Sequence, residues 1–194
     1  MPGGRDGADP GRGVRNEYAR HPGGAAGWYR EHGDRYRNPH EDGVAGMTKR
    51  SVALWPECFA GRVLDLACGS GEVTLALLAE GVAADCIDAC DPFTAEAYRT
   101  RIGAEALPWS FAAIAGGCAV DRAWSAVVCS YALHLCPPSW LPSVCLALAA
   151  TSPNLIVITP HKRPVIAEPW GWLLVEEHHD PAWRVRLRRY VAAP

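Results

Sequence analysis

"VLDLACGSGEVTLALL", Val63 to Leu78, decides how the chain reads. It opens as an apolar strand with an acid, Asp65, near its end. Two glycines follow, Gly69 and Gly71, and then a helix with Val73, Ala76 and Leu77 on one face. Such a turn lets backbone approach a ligand closely, because glycine adopts dihedrals that other residues avoid. The helix behind it presents unpaired N–H groups at its start.

Working outward, strand and helix alternate. Residues 41–54 predict a helix that Pro56 ends, and Gly81 stops the helix of the opening stretch. "DCIDACD", residues 85–91, predicts a second strand, and 94–103 a helix with Thr94 as N-cap and Gly103 past its end. "LPWSFAAI", 107–114, predicts a short third strand and "SAVVCSYAL", 125–133, a fourth. "SWLPSVCLALAA", 139–150, predicts a helix with Leu141, Val144, Cys145 and Leu148 at helical spacing, and "NLIVITP", 154–160, a fifth strand. This alternation implies an α/β fold, a Rossmann-like doubly wound sheet with both faces covered. The end departs from it. "WGWLLVEEHHDPAWRVRLRRYV", 170–191, predicts two antiparallel strands joined by "HHDP". In the second, Trp183, Val185 and Leu187 are expected on a buried face and Arg184, Arg186 and Arg188 on a wet one.

Composition sets the broad class. The chain has 194 residues, 49% hydrophobic and 21% charged, with a formal net charge of −2, which gives no general attraction to nucleic acid or acidic membranes. No stretch approaches a membrane span, and the N-terminus lacks the apolar core of a signal peptide, so a cytoplasmic protein is expected. Eight cysteines without a C-x-x-C pair read as reduced core thiols, and no metal site is expected. "EEHHD" is not read as one, because adjacent histidines in a turn point apart. Residues 1–24, rich in Gly, Pro, Arg and Asp, are expected to be disordered. Residues 25–194 are expected to form a single domain with an N-terminal lid segment, 25–55.

The ligand can be narrowed. A dinucleotide would require G-x-G-x-x-G, but Thr74 occupies the third glycine position, and Asp65 would repel a pyrophosphate. S-adenosylmethionine carries an ammonium group, a sulfonium and a ribose, and no phosphate. The stretch resembles the first motif of class I S-adenosylmethionine-dependent methyltransferases, D-x-G-x-G-x-G, with Ala67 in place of the first glycine. The strand–helix order and the terminal hairpin resemble that family too, over residues 61–190.

The resemblance implies S-adenosylmethionine as cofactor and S-adenosylhomocysteine as product. It places Asp65, Ala67, Cys68, Gly69, Ser70 and Gly71 along the methionine end. It also implies an acid after strand two that holds the ribose hydroxyls, since a carboxylate accepts two hydrogen bonds. Asp88 and Asp91 are both candidates. Asp91 is preferred, with small Ala89 before it and Pro92 and Phe93 after it. The family's adenine-side acid is replaced by Ala112 and Ala113, leaving Phe111 and Ile114 to pack on the base. Ser130 and Tyr131, after the fourth strand, would line the methyl-transfer junction.

Candidate catalytic residues are His134 and Tyr131 from that segment, with Tyr36 and His40 from the lid. Tyr29, His161 and Lys162 are candidate substrate contacts, with Arg163 beside them. The expected function is methyl transfer to a small-molecule acceptor by a monomer or homodimer. Peptide or protein methylation, and a non-catalytic cofactor-binding subunit, are the alternatives.

Overall fold

The computed structural model describes residues 17, 18 and 20–194. The expected disorder of residues 1–24 therefore falls largely outside the described residues. Within the described part, Tyr18 packs on Trp28 and Tyr29.

Six strands form one sheet: β1 (Val63–Leu66), β2 (Ile87–Cys90), β3 (Ala126–Ser130), β4 (Asn154–Thr159), β5 (Trp172–Asp180) and β6 (Val185–Ala192). Their order is β2-β1-β3-β4-β6-β5. β1 to β4 run parallel, and the β5–β6 hairpin is antiparallel to them. The mostly parallel doubly wound sheet with a terminal antiparallel hairpin is thus observed.

The side-chain period of two sorts the strands between two cores. Leu64, Leu66, Leu155 and Val157 face one side, where α6 (Leu141–Ala149) contributes Val144, Cys145 and Leu148. Val63, Val128, Ile156 and Ile158 face the other, where α2 (Glu41–Leu54) contributes Val44 and Met47, and α3 (Glu72–Ala79) contributes Val73 and Leu77. Each large apolar side chain buried in this way contributes about 1.5–3 kcal/mol. All eight cysteines are unbonded. Six are buried, Cys86 is half-buried and Cys118 is exposed.

Four expectations are corrected. Residues 107–114 form no strand. Leu107 makes a single bridge to Cys90, and the chain then forms a helix, α5 (Phe111–Ala115), because Ser110 caps it by accepting from the Ala113 amide at 3.1 Å. Thr94 stands at the N-cap of α4 (Ala95–Ile102) but its side chain makes no cap hydrogen bond; the Asp91 carboxylate instead accepts the amides of Phe93 and Thr94 just before the helix. β5 extends through His179 and Asp180, so those histidines lie in a strand and not in the turn. Trp183 sits in that turn, 43% exposed, while Arg188 is 6% exposed and ion-paired to Glu177 at 2.5 Å. The alternation ends at the turn, and a buried arginine is tolerated because its charge is paired.

Candidate functional site

The strand order reverses between β1 and β3: from β2 the chain crosses β1 to continue at β3. At such a switch point the loops beyond neighbouring strands diverge and leave a crevice. A cavity of about 330 Å³ lies there. Its floor comes from the loop after β1 (Ala67, Cys68 and Gly69), its sides from Asp91, Pro92 and Phe93 after β2, and from Ser130 and Tyr131 after β3. The helix α1 (Gly24–His32) and the segment behind it cover it with Tyr29, Tyr36 and Asn38.

The β1 loop is shaped by backbone. Ala67, Gly69 and Gly71 all have positive φ, at 55°, 57° and 89°. The first of these is the position where Ala67 stands for a glycine, so a Cβ is held in a left-handed conformation at a local cost of roughly 1–2 kcal/mol. Gly69 has Tyr36 against it, and an added Cβ would stand 3.1 Å from Cε1 of that ring. Gly71 begins α3 and would place a Cβ 2.7 Å from Ile102.

Two carboxylates respond differently to this loop. Asp91 is 8% exposed and lines the cavity. Its Oδ1 accepts the amides of Phe93 at 2.8 Å and Thr94 at 3.2 Å, and Oδ2 accepts from the Gly69 amide at 3.4 Å. Burial raises its pKa and the amides oppose that rise. Asp65 is fully buried and does not reach the cavity wall. Its Oδ2 accepts from the amide and hydroxyl of Thr74 at 3.1 and 2.7 Å, whereas Oδ1 accepts no hydrogen bond. Burial pushes its pKa up to about 7.

Glu72, absent from the sequence reading, connects the loop to its cover. It lines the cavity, accepts from the Asn38 amide at 3.4 Å and from Ser70, and is paired with Arg101 at 2.9 Å. Arg101 also holds Glu41 at the start of α2. Trp109 and Ser110, before α5, and Leu135 and Pro137, after β3, complete the wall and were likewise unforeseen. Ser110 followed by an alanine-rich run was a readable cap.

The remaining candidates divide. Phe111 lines the cavity, but Ile114 is fully buried in the core beneath it. Ser70 is fully buried and turned to Glu72, and Gly71 packs on Tyr98 and Ile102; neither reaches the cavity. Asp88 lies elsewhere, bound to Arg62 at 2.5 Å and to Trp124 Nε1 at 2.8 Å. His40 does not line the cavity but stacks on Tyr131, ring centroids 5.1 Å apart. His134, His161 and Lys162 stand together in a separate recess with Arg163. Tyr131 has φ of 53°, and burial raises its pKa to about 12. Burial raises Tyr36 further.

Comparison with solved structures defines the class of fold. Magnesium protoporphyrin IX methyltransferase from Synechocystis, solved with bound S-adenosylmethionine, is 16% identical and superposes at a TM-score of 0.57 over 93% of this chain and 95% of its own. A putative RNA methyltransferase from Pyrococcus horikoshii gives 0.59 at 13% identity, over 86% and 87%. Mitomycin 7-O-methyltransferase gives 0.56 at 16% identity, over 77% and 54%. The chain has the class I methyltransferase fold. No protein-family profile matches it. An uncharacterized protein of the fission yeast Schizosaccharomyces pombe is 33% identical over 198 aligned positions, covering 82% of this chain and 79% of the relative, and the chain belongs to the same family as that protein. Among the described residues, no helix is long and apolar enough to cross a membrane.

Proposed function

We propose that the chain transfers a methyl group from S-adenosylmethionine to a small-molecule acceptor, releasing S-adenosylhomocysteine. The observation that carries this reading is the juxtaposition of Asp91 with the Ala67–Gly69 loop in one cavity at the switch point. The residues suit the cofactor. Asp91 keeps its amides on Oδ1, so Oδ2, with a single long contact, is the oxygen able to accept from ribose hydroxyls. Gly69, lacking a side chain, lets Tyr36 close directly onto the loop that would border the methionine end. Trp109 and Phe111 offer faces to adenine where the family's acid is missing. Glu72 and Asp91 give the cavity a negative character matched to a cationic ligand.

S-adenosylmethionine, when bound, supplies an electrophilic methyl group. The chain's part is to orient the acceptor and exclude water. Tyr131, protonated near neutral pH, donates a hydrogen bond at the cavity's mouth and so sets the direction of the acceptor's lone pair. His40, stacked on Tyr131 from outside the cavity, holds that ring in its orientation. Tyr29 and Tyr36 close the top, which is the role proposed for the lid segment.

A small molecule is favoured because the cavity is covered by α1 and lined by aromatic and aliphatic side chains. The net charge of −2 provides no steering for a nucleic acid. Incubation with methyl-labelled S-adenosylmethionine and a metabolite extract tests this. Label in the low-mass fraction is expected. Label confined to added peptides or RNA would replace the small-molecule reading, and no transfer despite cofactor binding would favour a non-catalytic subunit.

A further inference from the structure

Beside the cavity lies a second, open recess of about 420 Å³, lined by His134, His161, Lys162 and Arg163. All four are basic or hydrogen-bond donors, and among the described residues no acid lines it. The His134 and His161 rings meet edge to face, with centroids 4.5 Å apart. The recess joins two loops at the carboxyl end of the sheet. His134 lies in the short turn Leu133–Leu135 after β3, and the other three follow β4. The two loops start side by side, because Ser130 pairs with Ile158 and the Tyr131 amide donates to Ile158 at 2.8 Å.

The second loop is anchored while its charges remain outward. The Lys162 carbonyl accepts from Arg188 at 3.1 Å, and the His161 amide donates to Thr159 Oγ1 at 3.1 Å. The Lys162 and Arg163 side chains are exposed and make no ion pair among the described residues. Next to His134 in the same turn, Leu135 lines the main cavity. The basic recess and the main cavity therefore share one three-residue turn.

We infer that the methyl acceptor is an organic anion, whose carboxylate or phosphate sits between Lys162, Arg163 and the two imidazoles while its apolar body lies against Tyr131, Leu135 and Pro137. This rests on the methyltransferase reading. Two cationic side chains and two imidazoles lining one recess match an anion better than a neutral group. The recess holds only four such residues in a chain of net charge −2, which suits a single anionic group and not a phosphate backbone.

The test uses the full chain, free and loaded with S-adenosylhomocysteine, titrated with benzoate and with phenyl phosphate while the histidine ring signals are followed by NMR. Saturable shifts of His134 and His161 are expected with at least one probe. The tighter of the two identifies the anionic group. A Lys162→Ala/Arg163→Ala variant, altered only at exposed positions, is expected to bind that probe roughly tenfold more weakly, since exposed ion pairs each contribute modestly. Its calorimetric affinity for S-adenosylhomocysteine should be unchanged. Absent shifts, or equal probe affinity in the variant, would overturn the inference. Failure of the wild-type chain to bind S-adenosylhomocysteine would instead overturn the methyltransferase reading.

Discussion

Tyr36 lies on Gly69, its ring 3.1 Å from where a Cβ on that glycine would stand, so the lid segment touches the floor of the cavity it covers. Gly69→Ala meets two obstacles at once: a φ of 57° that disfavours any Cβ, and a ring that must move. The expected cost is roughly 1–2 kcal/mol of stability from the backbone alone. Displacing Tyr36 should also weaken cofactor binding. Denaturant midpoints and calorimetry on Gly69→Ala and Tyr36→Ala check this. An alanine variant of wild-type stability would show that the loop does not need glycine there.

Asp65 gives a pH dependence of definite sign. Its folded pKa is about 7, above the ordinary carboxylate value, because burial disfavours the charge. Between about pH 4 and 7 the folded state therefore binds more protons than the unfolded one. Stability from this group is present at low pH and is lost as pH rises towards 7, by up to about 1.4 kcal/mol per pH unit. Wild type should lose stability relative to Asp65→Asn as pH rises from 5 to 7, and the difference should then level off. A difference that stays constant across that range would mean the carboxylate is ordinary.

Thr74 is the partner that keeps Asp65 in place. Thr74→Val removes the hydroxyl donor at 2.7 Å and leaves only the amide at 3.1 Å. A loss of about 1–3 kcal/mol is expected for the partly unsatisfied carboxylate. Thermal unfolding at pH 8 and pH 5 measures it, with the larger loss at pH 8, where the carboxylate is ionised. An equal loss at both would trace the effect to packing.

The pairing of His40 with Tyr131 predicts a split in kinetics. His40→Ala should lower kcat by up to roughly 10²-fold, as for a lost support of the positioning residue Tyr131. The affinity for S-adenosylmethionine should change little, because His40 does not line the cavity. A parallel loss of cofactor affinity would make His40 a support for the lid.

How much of this was legible follows from what each residue type can report. β1, β4 and α2 were readable because their burial patterns are regular, and Asp91 could be preferred over Asp88 from its neighbours. The stretch 107–114 was misread because its aromatic and apolar residues suit a strand. The Ser110 cap and the alanines after it were the competing signal, and they prevail. His134 was expected at the cavity. Successive residues in a turn with three residues per turn point about 120° apart, and composition does not say which faces inward; here Leu135 does. Glu72 was invisible because its importance lies in partners 34 and 29 positions away, Asn38 and Arg101.

The central claim, that the switch-point cavity binds S-adenosylmethionine through Asp91, is tested most directly by calorimetry with that ligand on wild type, Asp91→Ala and Asp88→Asn. Saturable one-to-one binding by wild type is predicted. It should be weakened by at least tenfold in Asp91→Ala, as expected for a lost charge-assisted hydrogen bond. Asp88→Asn should bind as wild type does, since Asp88 is engaged by Arg62 and Trp124 away from the cavity. No binding by wild type, or loss in Asp88→Asn with retention in Asp91→Ala, would contradict the account.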